Sequence, residues 1–377
     1  MQRGPVRLSD EVLADLQQRL DRVRWPDSVG ASWELGTDLV YLKELTSYWR
    51  HDFDWRTQEA LLEQVLPSSI AMVDGEPVHF ARVPGAGPKA LPLLLMHGWP
   101  GSYAEFVKVA PMLADPAAYG GDPADCFEVI VPSLPGHGFS FVPRQTGFGA
   151  DECAGVMSRL MRDVLGFSRY GAQGGDRGAF VCASMGFQRD DALVGIHVNF
   201  PAGIAGEGGE RTEEESQWLH DTAAYMADGG GYMAIQGTRP QTLAYGLHDS
   251  PVGQLAWILE KWRAWSDCGG DVESVFTKDE ILVNATIYWA TGTMRSSTQW
   301  YWEHAHRPPA AVRPVRIECP TGVARFPRDV MQVPRTAAER KYDLRRWTEV
   351  DRGGHFAALE QPEILVEEIR AFFRPLR

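Results

Sequence analysis

Gly174-Gly175-Asp176-Arg177-Gly178 is the stretch on which the reading of this chain turns. It follows a strand-like run, Ser168-Arg169-Tyr170-Gly171-Ala172, and leads into a helix-like run from Ala179 to Met185. A strand, a Gly-x-nucleophile-x-Gly turn and a helix form a sharp elbow that lifts one side chain above the end of a sheet. The flanking glycines permit a turn that is tight and strained. Here the lifted side chain is a carboxylate, where serine is more usual. A carboxylate does not make an ordinary acyl-enzyme from an ester. It attacks a saturated carbon and itself becomes the acyl half of an ester. The expected chemistry is opening of a strained ring or displacement of a halide, and not that of a lipase or protease.

The rest of the composition narrows the setting. A chain of 377 residues, 44% hydrophobic and 23% charged, is long enough for a large domain with an insertion. A formal charge of −13 disfavours phosphate backbones and anionic membranes as partners. Cys126, Cys153, Cys182, Cys268 and Cys319 are scattered without a CxxC pair, as expected of free thiols in a reducing compartment. None of the ten histidines lies in an HExxH-like pattern, so neither metal nor other cofactor is expected. Met1-Gln2-Arg3-Gly4-Pro5-Val6 lacks the apolar run of a signal peptide, and apolar runs elsewhere fall short of the roughly 18–20 residues of a membrane span. A cytoplasmic chain without a membrane anchor is the expectation.

Along the chain, Val12, Leu13, Leu16, Leu20 and Val23 recur at helical spacing behind Ser9, and two more helical patterns fill 41–66. Asp74-Gly75 between alternating runs predicts a hairpin. Leu91–Met96, Phe127–Val131 and Leu193–Phe200 read as buried strands. Strands alternating with helices imply a mostly parallel sheet covered on both faces. Residues 212–305 read as almost wholly helical, with capping boxes at Thr212/Glu215 and Thr277/Glu280. The strand pattern returns at Val315–Cys319 and Arg346–Val350 before a last helix over 361–373. The expected fold is an α/β-hydrolase: an N-terminal helical segment with the first hairpin (1–90), a first core part (91–205), a helical cap over the strand ends (206–308) and a second core part (309–377).

On this fold the base and its orienting acid follow the nucleophile in the order nucleophile, acid, histidine. The loop Arg352-Gly353-Gly354-His355-Phe356 supplies His355 as base. Asp329, beyond the strand at Cys319, is the acid chosen, because Glu318 sits within the strand itself. An oxyanion hole needs backbone N–H donors from the residue after the nucleophile, Arg177, and from the loop after an early strand, Trp99.

These motifs are joined by Tyr48-Trp49-Arg50, Asp54-Trp55-Arg56, His97-Gly98-Trp99-Pro100-Gly101-Ser102, Tyr288-Trp289-Ala290-Thr291-Gly292-Thr293 and Ser296-Ser297. Together they make the chain resemble, nearly end to end, the microsomal-type epoxide hydrolases. The resemblance implies Asp176 as nucleophile, Asp329 as acid, His355 as base, and two cap tyrosines, Tyr232 and Tyr301, that activate the epoxide. It implies a hydrophobic epoxide and water as the reacting partners, no cofactor, and self-association as in relatives. Mammalian members carry glutamate at the position of Asp329. The tryptophan-rich cap points to a hydrophobic, even aromatic, substrate, with Trp99 and Trp289 as expected contacts. Activity is expected to decline at high pH as the phenols ionise. A dehalogenase would use the same Asp-His-Asp set. Fluoroacetate-type dehalogenases, however, carry another arginine near the elbow, and none follows in the turn beyond Gly178. A non-catalytic receptor on the same fold is disfavoured by the intact catalytic set.

Overall fold

The computed structural model describes residues 2–3, 7–30, 32–87, 89–202, 211–306 and 316–377. Its centre is a nine-stranded sheet in the order β1-β2-β3-β5-β4-β6-β7-β8-β9. The strands are β1 (Gln2–Arg3), β2 (Ser68–Val73), β3 (Glu76–Val83), β4 (Leu91–Met96), β5 (Phe127–Pro132), β6 (Tyr170–Gly174), β7 (Leu193–Val198), β8 (Ile317–Arg325) and β9 (Tyr342–Glu349). The strands β1, β2, β3 and β5 pair antiparallel in turn, and from β5 to β9 every pairing is parallel. The hairpin turn has positive φ at both Asp74 and Gly75, the backbone that suits a two-residue loop between twisted strands. Strand β8 runs past Cys319 to Arg325, further than the sequence pattern suggests. Pro320 sits at a register shift in the β8–β9 pairing, where the ladder is irregular and its missing N–H is tolerated.

Helices in chain order are α1 (Asp10–Leu20), α2 (Leu39–His51), α3 (Trp55–Val65), α4 (Val109–Ala114), α5 (Ala150–Arg159) and α6 (Asp176–Gln188). The insertion supplies α7 (Glu213–Asp228), α8 (Gly231–Thr238), α9 (Pro240–Asp249), α10 (Pro251–Trp265), α11 (Lys278–Thr291) and α12 (Met294–His306). After it come α13 (Arg335–Lys341), α14 (Ala357–Glu360) and α15 (Pro362–Phe373). The boundaries expected at 205/206 and 308/309 lie outside the described residues, as does Val315.

Two cores cover the faces of the sheet. One gathers α5 and α6 residues such as Cys153, Met157 and Val181 against Leu94 and Ile196, and the other gathers Leu113, Ile369 and Phe373 against Leu93 and Phe127. A third joins the N-terminal helices to the cap: Leu16, Leu45 and Trp49 pack with Leu255, Ile258 and Leu282. Trp49 is fully buried and its indole N–H donates to Thr286 Oγ1 at 3.1 Å. The opening segment thus braces the cap, and burial of one such large side chain is worth about 1.5–3 kcal/mol. All five cysteines are free thiols. No helix among the described residues is long and apolar enough to cross a membrane.

Candidate active site

The elbow forms where β6 ends and α6 begins. Asp176 adopts φ +44°, a left-handed conformation that costs a non-glycine residue about 1–3 kcal/mol. Two glycines make room for it. A Cβ at Gly178 would collide with the Met96 carbonyl, and one at Gly98 would collide with Asp176 itself. Asp176 opens α6, where unpaired backbone N–H groups favour negative charge. The Trp99 N–H donates to Asp176 Oδ1 at 2.8 Å.

His355 approaches from the loop after β9. Its Nδ1 lies 2.7 Å from Asp329 Oδ1, and its Nε2 lies 3.6 Å from Asp176 Oδ2. The loop is held from three sides. The His355 N–H donates to the Trp265 carbonyl at 2.8 Å, and the Gly354 and Phe356 N–H groups each donate to the Glu360 carboxylate at 2.9 Å. An isolated bridge between Arg328 and Gly354 brings the Asp329 segment alongside. Burial alone would push His355 below its ordinary value. The Asp329 carboxylate, by charge and hydrogen bond, and the nearby Asp176 and Glu105 outweigh it and raise the imidazole to about 9. The charges around it thus favour the protonated imidazolium over the neutral ring.

The cap closes over this floor through Trp99. The Trp99 ring stacks on Tyr232 with centroids 5.6 Å apart and planes 4° from parallel, and meets Tyr301 edge-on at 5.6 Å. Tyr232 and Tyr301 lie 5.7 Å apart. Burial pushes both phenols well above their ordinary 10. Their ionisation moves beyond the alkaline range in which the sequence reading expects it to limit activity. The cap is pinned to the same loop from above: Asn284 Nδ2 donates to the Pro100 carbonyl at 2.7 Å and Tyr288 OH to the Gly101 carbonyl at 2.9 Å.

Trp289 is not part of these walls. It follows the inward-facing Tyr288 on α11 and so points about 100° away around the helix. Its ring lies 5.3 Å from the Arg19 guanidinium, against the N-terminal helices. The expectation that it contacts substrate is corrected accordingly. Arg177 follows the elbow as anticipated, and its side chain folds up under the cap, with Cζ 3.8 Å from the Tyr301 ring centroid.

Two further side chains belong to the site. Glu105 lies in the turn after the Trp99 loop, in the space a side chain at Gly101 would need. Burial raises its carboxyl to about 8, against the pull of His355, so it is largely protonated at neutral pH. Tyr225 on α7 is a third phenol. Its hydroxyl accepts from Trp265 Nε1 at 3.0 Å and hydrogen-bonds Tyr232. Glu105 had a faint sequence signal, four residues beyond Gly101; Tyr225 had none, since it lies on α7 and Tyr232 on α8.

A cavity of about 20 Å³ is lined by Trp99, Glu105, Gln173, Asp176, Asn199 and His355 among others. One water needs about 10–15 Å³ on this measure and two or more polar partners. The Gln173 side-chain oxygen is buried there with no partner. A much larger groove, about 1060 Å³, runs between the N-terminal segment and α9–α10, lined by Arg22, Trp25, Leu39, Pro251 and Trp257. It contains none of Trp99, Glu105, Asp176, Tyr232, Tyr301, Asp329 or His355, and size alone does not make it the reaction site.

Comparison with known proteins settles the family. The model "Epoxide hydrolase N terminus" matches residues 1–106 and "alpha/beta hydrolase fold" matches 92–193. A putative epoxide hydrolase of Stigmatella aurantiaca (strain DW4/3-1) is 42% identical over 377 residues, covering 99% of this chain and 84% of that protein. The chain belongs to the epoxide hydrolase family. Epoxide hydrolase 1 of Oryctolagus cuniculus is 37% identical over 404 residues, covering 97% of this chain and 87% of its own. The solved structure of Aspergillus niger epoxide hydrolase superposes with a TM-score of 0.87 at 31% identity, covering 100% of this chain and 97% of that one. The fold is that of the α/β-hydrolases, and the enzyme is a hydrolase acting on epoxides.

Proposed function

We propose that this epoxide hydrolase works through a covalent ester on Asp176. Tyr232 and Tyr301 donate hydrogen bonds to the epoxide oxygen, and Asp176 attacks a ring carbon from the opposite side. Its carboxylate becomes an alkyl ester and loses its charge. The opened oxygen takes a proton from one phenol. One of the anions that hold the proton on His355 is now gone, so His355 releases that proton through solvent, which restores the phenol, and His355 becomes a base. Held by Asp329, it takes a proton from water, which adds to the Asp176 carbonyl. The Trp99 and Arg177 amides receive the oxyanion, each such donor typically being worth about 3 kcal/mol. Collapse breaks the acyl–oxygen bond, the leaving alkoxide takes the proton from His355 to free a vicinal diol, and the Asp176 carboxyl then returns its own proton to His355.

What carries this reading is the line Asp329–His355–Asp176, at 2.7 and 3.6 Å, with a water-sized cavity beside it. Glu105, neutral at pH 7 and lining that cavity, suits the holding of the attacking water through its O–H or carbonyl oxygen. The roof of Trp99, Tyr232, Trp265 and Tyr301 suits a hydrophobic epoxide. The test is oxygen labelling. Over several turnovers in H₂¹⁸O, label should accumulate in the peptide containing Asp176. Label in the diol from the very first turnover, with an unlabelled peptide, overturns the ester in favour of direct attack by water.

A further inference from the structure

The side chains of two buried cations, Arg177 rising from α6 and Lys261 within the roof, have no use in the scheme above. Arg177 and Lys261 are each 6% exposed. Arg177 Cζ lies 3.8 Å from the Tyr301 ring centroid and 5.8 Å from that of Phe180. Its Nε is buried without a hydrogen-bond partner, and Arg177 has no ion pair among the described residues. Lys261 Nζ, from α10, lies 4.4 Å from the Tyr232 centroid and 5.9 Å from that of Trp265, and it is ion-paired with Glu260. A guanidinium buried without a carboxylate is costly, because an aromatic face replaces only part of its lost hydration.

The surroundings of each phenol suggest what offsets that cost. Tyr301 faces Asp176 and Arg177 from α6 and Tyr232 from α8. Tyr232 faces Tyr225 from α7, Lys261 from α10, Tyr301 from α12, and Asp176 and Arg177 from below. Every titratable neighbour other than the two cations opposes negative charge on the phenol oxygens or is itself neutral. Burial pushes the Tyr301 hydroxyl away from acidity, and Arg177, by charge and hydrogen bonding, pulls it back.

We propose that Arg177 and Lys261 are positioning residues for ring opening. Each holds one phenol by its face and stabilises the partial negative charge that phenol takes up while hydrogen-bonding the departing epoxide oxygen. The inference rests on the reading that the phenols activate the epoxide. No bond is made or broken beyond those already described. The cations act in the first half-reaction, when charge develops on the oxygen, and not in hydrolysis of the ester, when charge develops at the Asp176 carbonyl.

Single-turnover kinetics with a neutral aryl epoxide, followed by tryptophan fluorescence, separates the two steps. Arg177→Met should slow ester formation by about 10- to 30-fold, the range expected of a desolvated cation–π contact, and change ester hydrolysis less than about twofold. Arg177→Lys should restore most of the rate. Lys261→Met should act on the same step, with Lys261→Arg as its rescue. In a Tyr301→Phe background, Arg177→Met should lose most of its effect, because the residue through which it acts is gone. Equal slowing of both steps, failure of Arg177→Lys to rescue, or an undiminished effect in Tyr301→Phe overturns the inference. So does an effect confined to KM for epoxides bearing a carboxylate, which would make Arg177 a substrate anchor. If Tyr301→Phe alone leaves ester formation unchanged, or no ester forms at all, the functional reading itself fails. If Tyr301→Phe slows the step and Arg177→Met does not, only the inference fails.

Discussion

The floor and the roof of this site are built on different principles. In the floor, Asp176, Asp329 and His355 come from turns at the ends of strands, and each is fixed by backbone: a positive φ, an N–H from Trp99, an amide clamp by Glu360. In the roof, Tyr225, Tyr232, Lys261 and Tyr301 come from four helices, and ring faces hold them in place. A turn fixes a side chain through a few local constraints, whereas a helix face fixes it only through whatever packs opposite. The floor should therefore fail by losing chemistry outright, and the roof by losing rate in one step.

The comparison is broken most directly at its lowest point. Asp176→Asn should cost about 10⁴-fold or more in kcat, the scale seen when a nucleophile is removed, with no covalent adduct in mass spectra; a partly active Asp176→Asn would move the nucleophile elsewhere. His355→Gln should lower turnover by about 10³-fold or more and leave the first step running, so the protein gains the mass of one substrate. Unmodified His355→Gln after incubation contradicts the division of labour. In the roof, Tyr301→Phe and Tyr232→Phe should each slow ester formation by about 10²-fold and leave hydrolysis of a preformed ester nearly unchanged.

The pH profile sharpens the contrast between the halves. Protonated His355 cannot accept a proton, so kcat should rise with pH along an acid limb. Its midpoint should fall below the resting value of about 9, because the proposed ester would remove the Asp176 charge that helps hold the proton. Since burial raises both phenols above 10, no alkaline decline from them is expected below about pH 10. A midpoint at or above 9 would mean that His355 does not sense the charge on Asp176. The smallest effect is expected at Trp289→Ala. Its contact with Arg19 is only partly buried, so a change under about threefold in kcat/KM and a modest drop in Tm are expected. A large loss in kcat/KM would restore it to the substrate wall.

Legibility in the sequence followed the same divide. Gly174, Gly178 and the Gly353-Gly354 lead to His355 announce turns, and turns announce which side chain is lifted. Helices of the cap were evident from Thr212/Glu215 and Thr277/Glu280, whose reciprocal hydrogen bonds form as expected. Which helical residues face inward was not evident. Residues 282–288 of α11 are all buried, so periodicity gave no orientation, and Trp289 was assigned to the inner face that its neighbour Tyr288 occupies. Tyr232 and Tyr301 were reached by resemblance alone. Lys261 over Tyr232 and Arg177 under Tyr301 are contacts between segments far apart in the chain, which no local pattern encodes.

Trp99 carries one last consequence. A single residue supplies the N–H that holds Asp176 and the ring on which Tyr232 rests, while Asn284 and Tyr288 grip the next two carbonyls. Lid and hinge are thus riveted at the very point where the proposed reaction takes place. The roof cannot swing away as a rigid flap without dismantling the anion cradle beneath it, so passage of substrate and diol must rely on side-chain breathing at the margins of the roof while its keystone stays put.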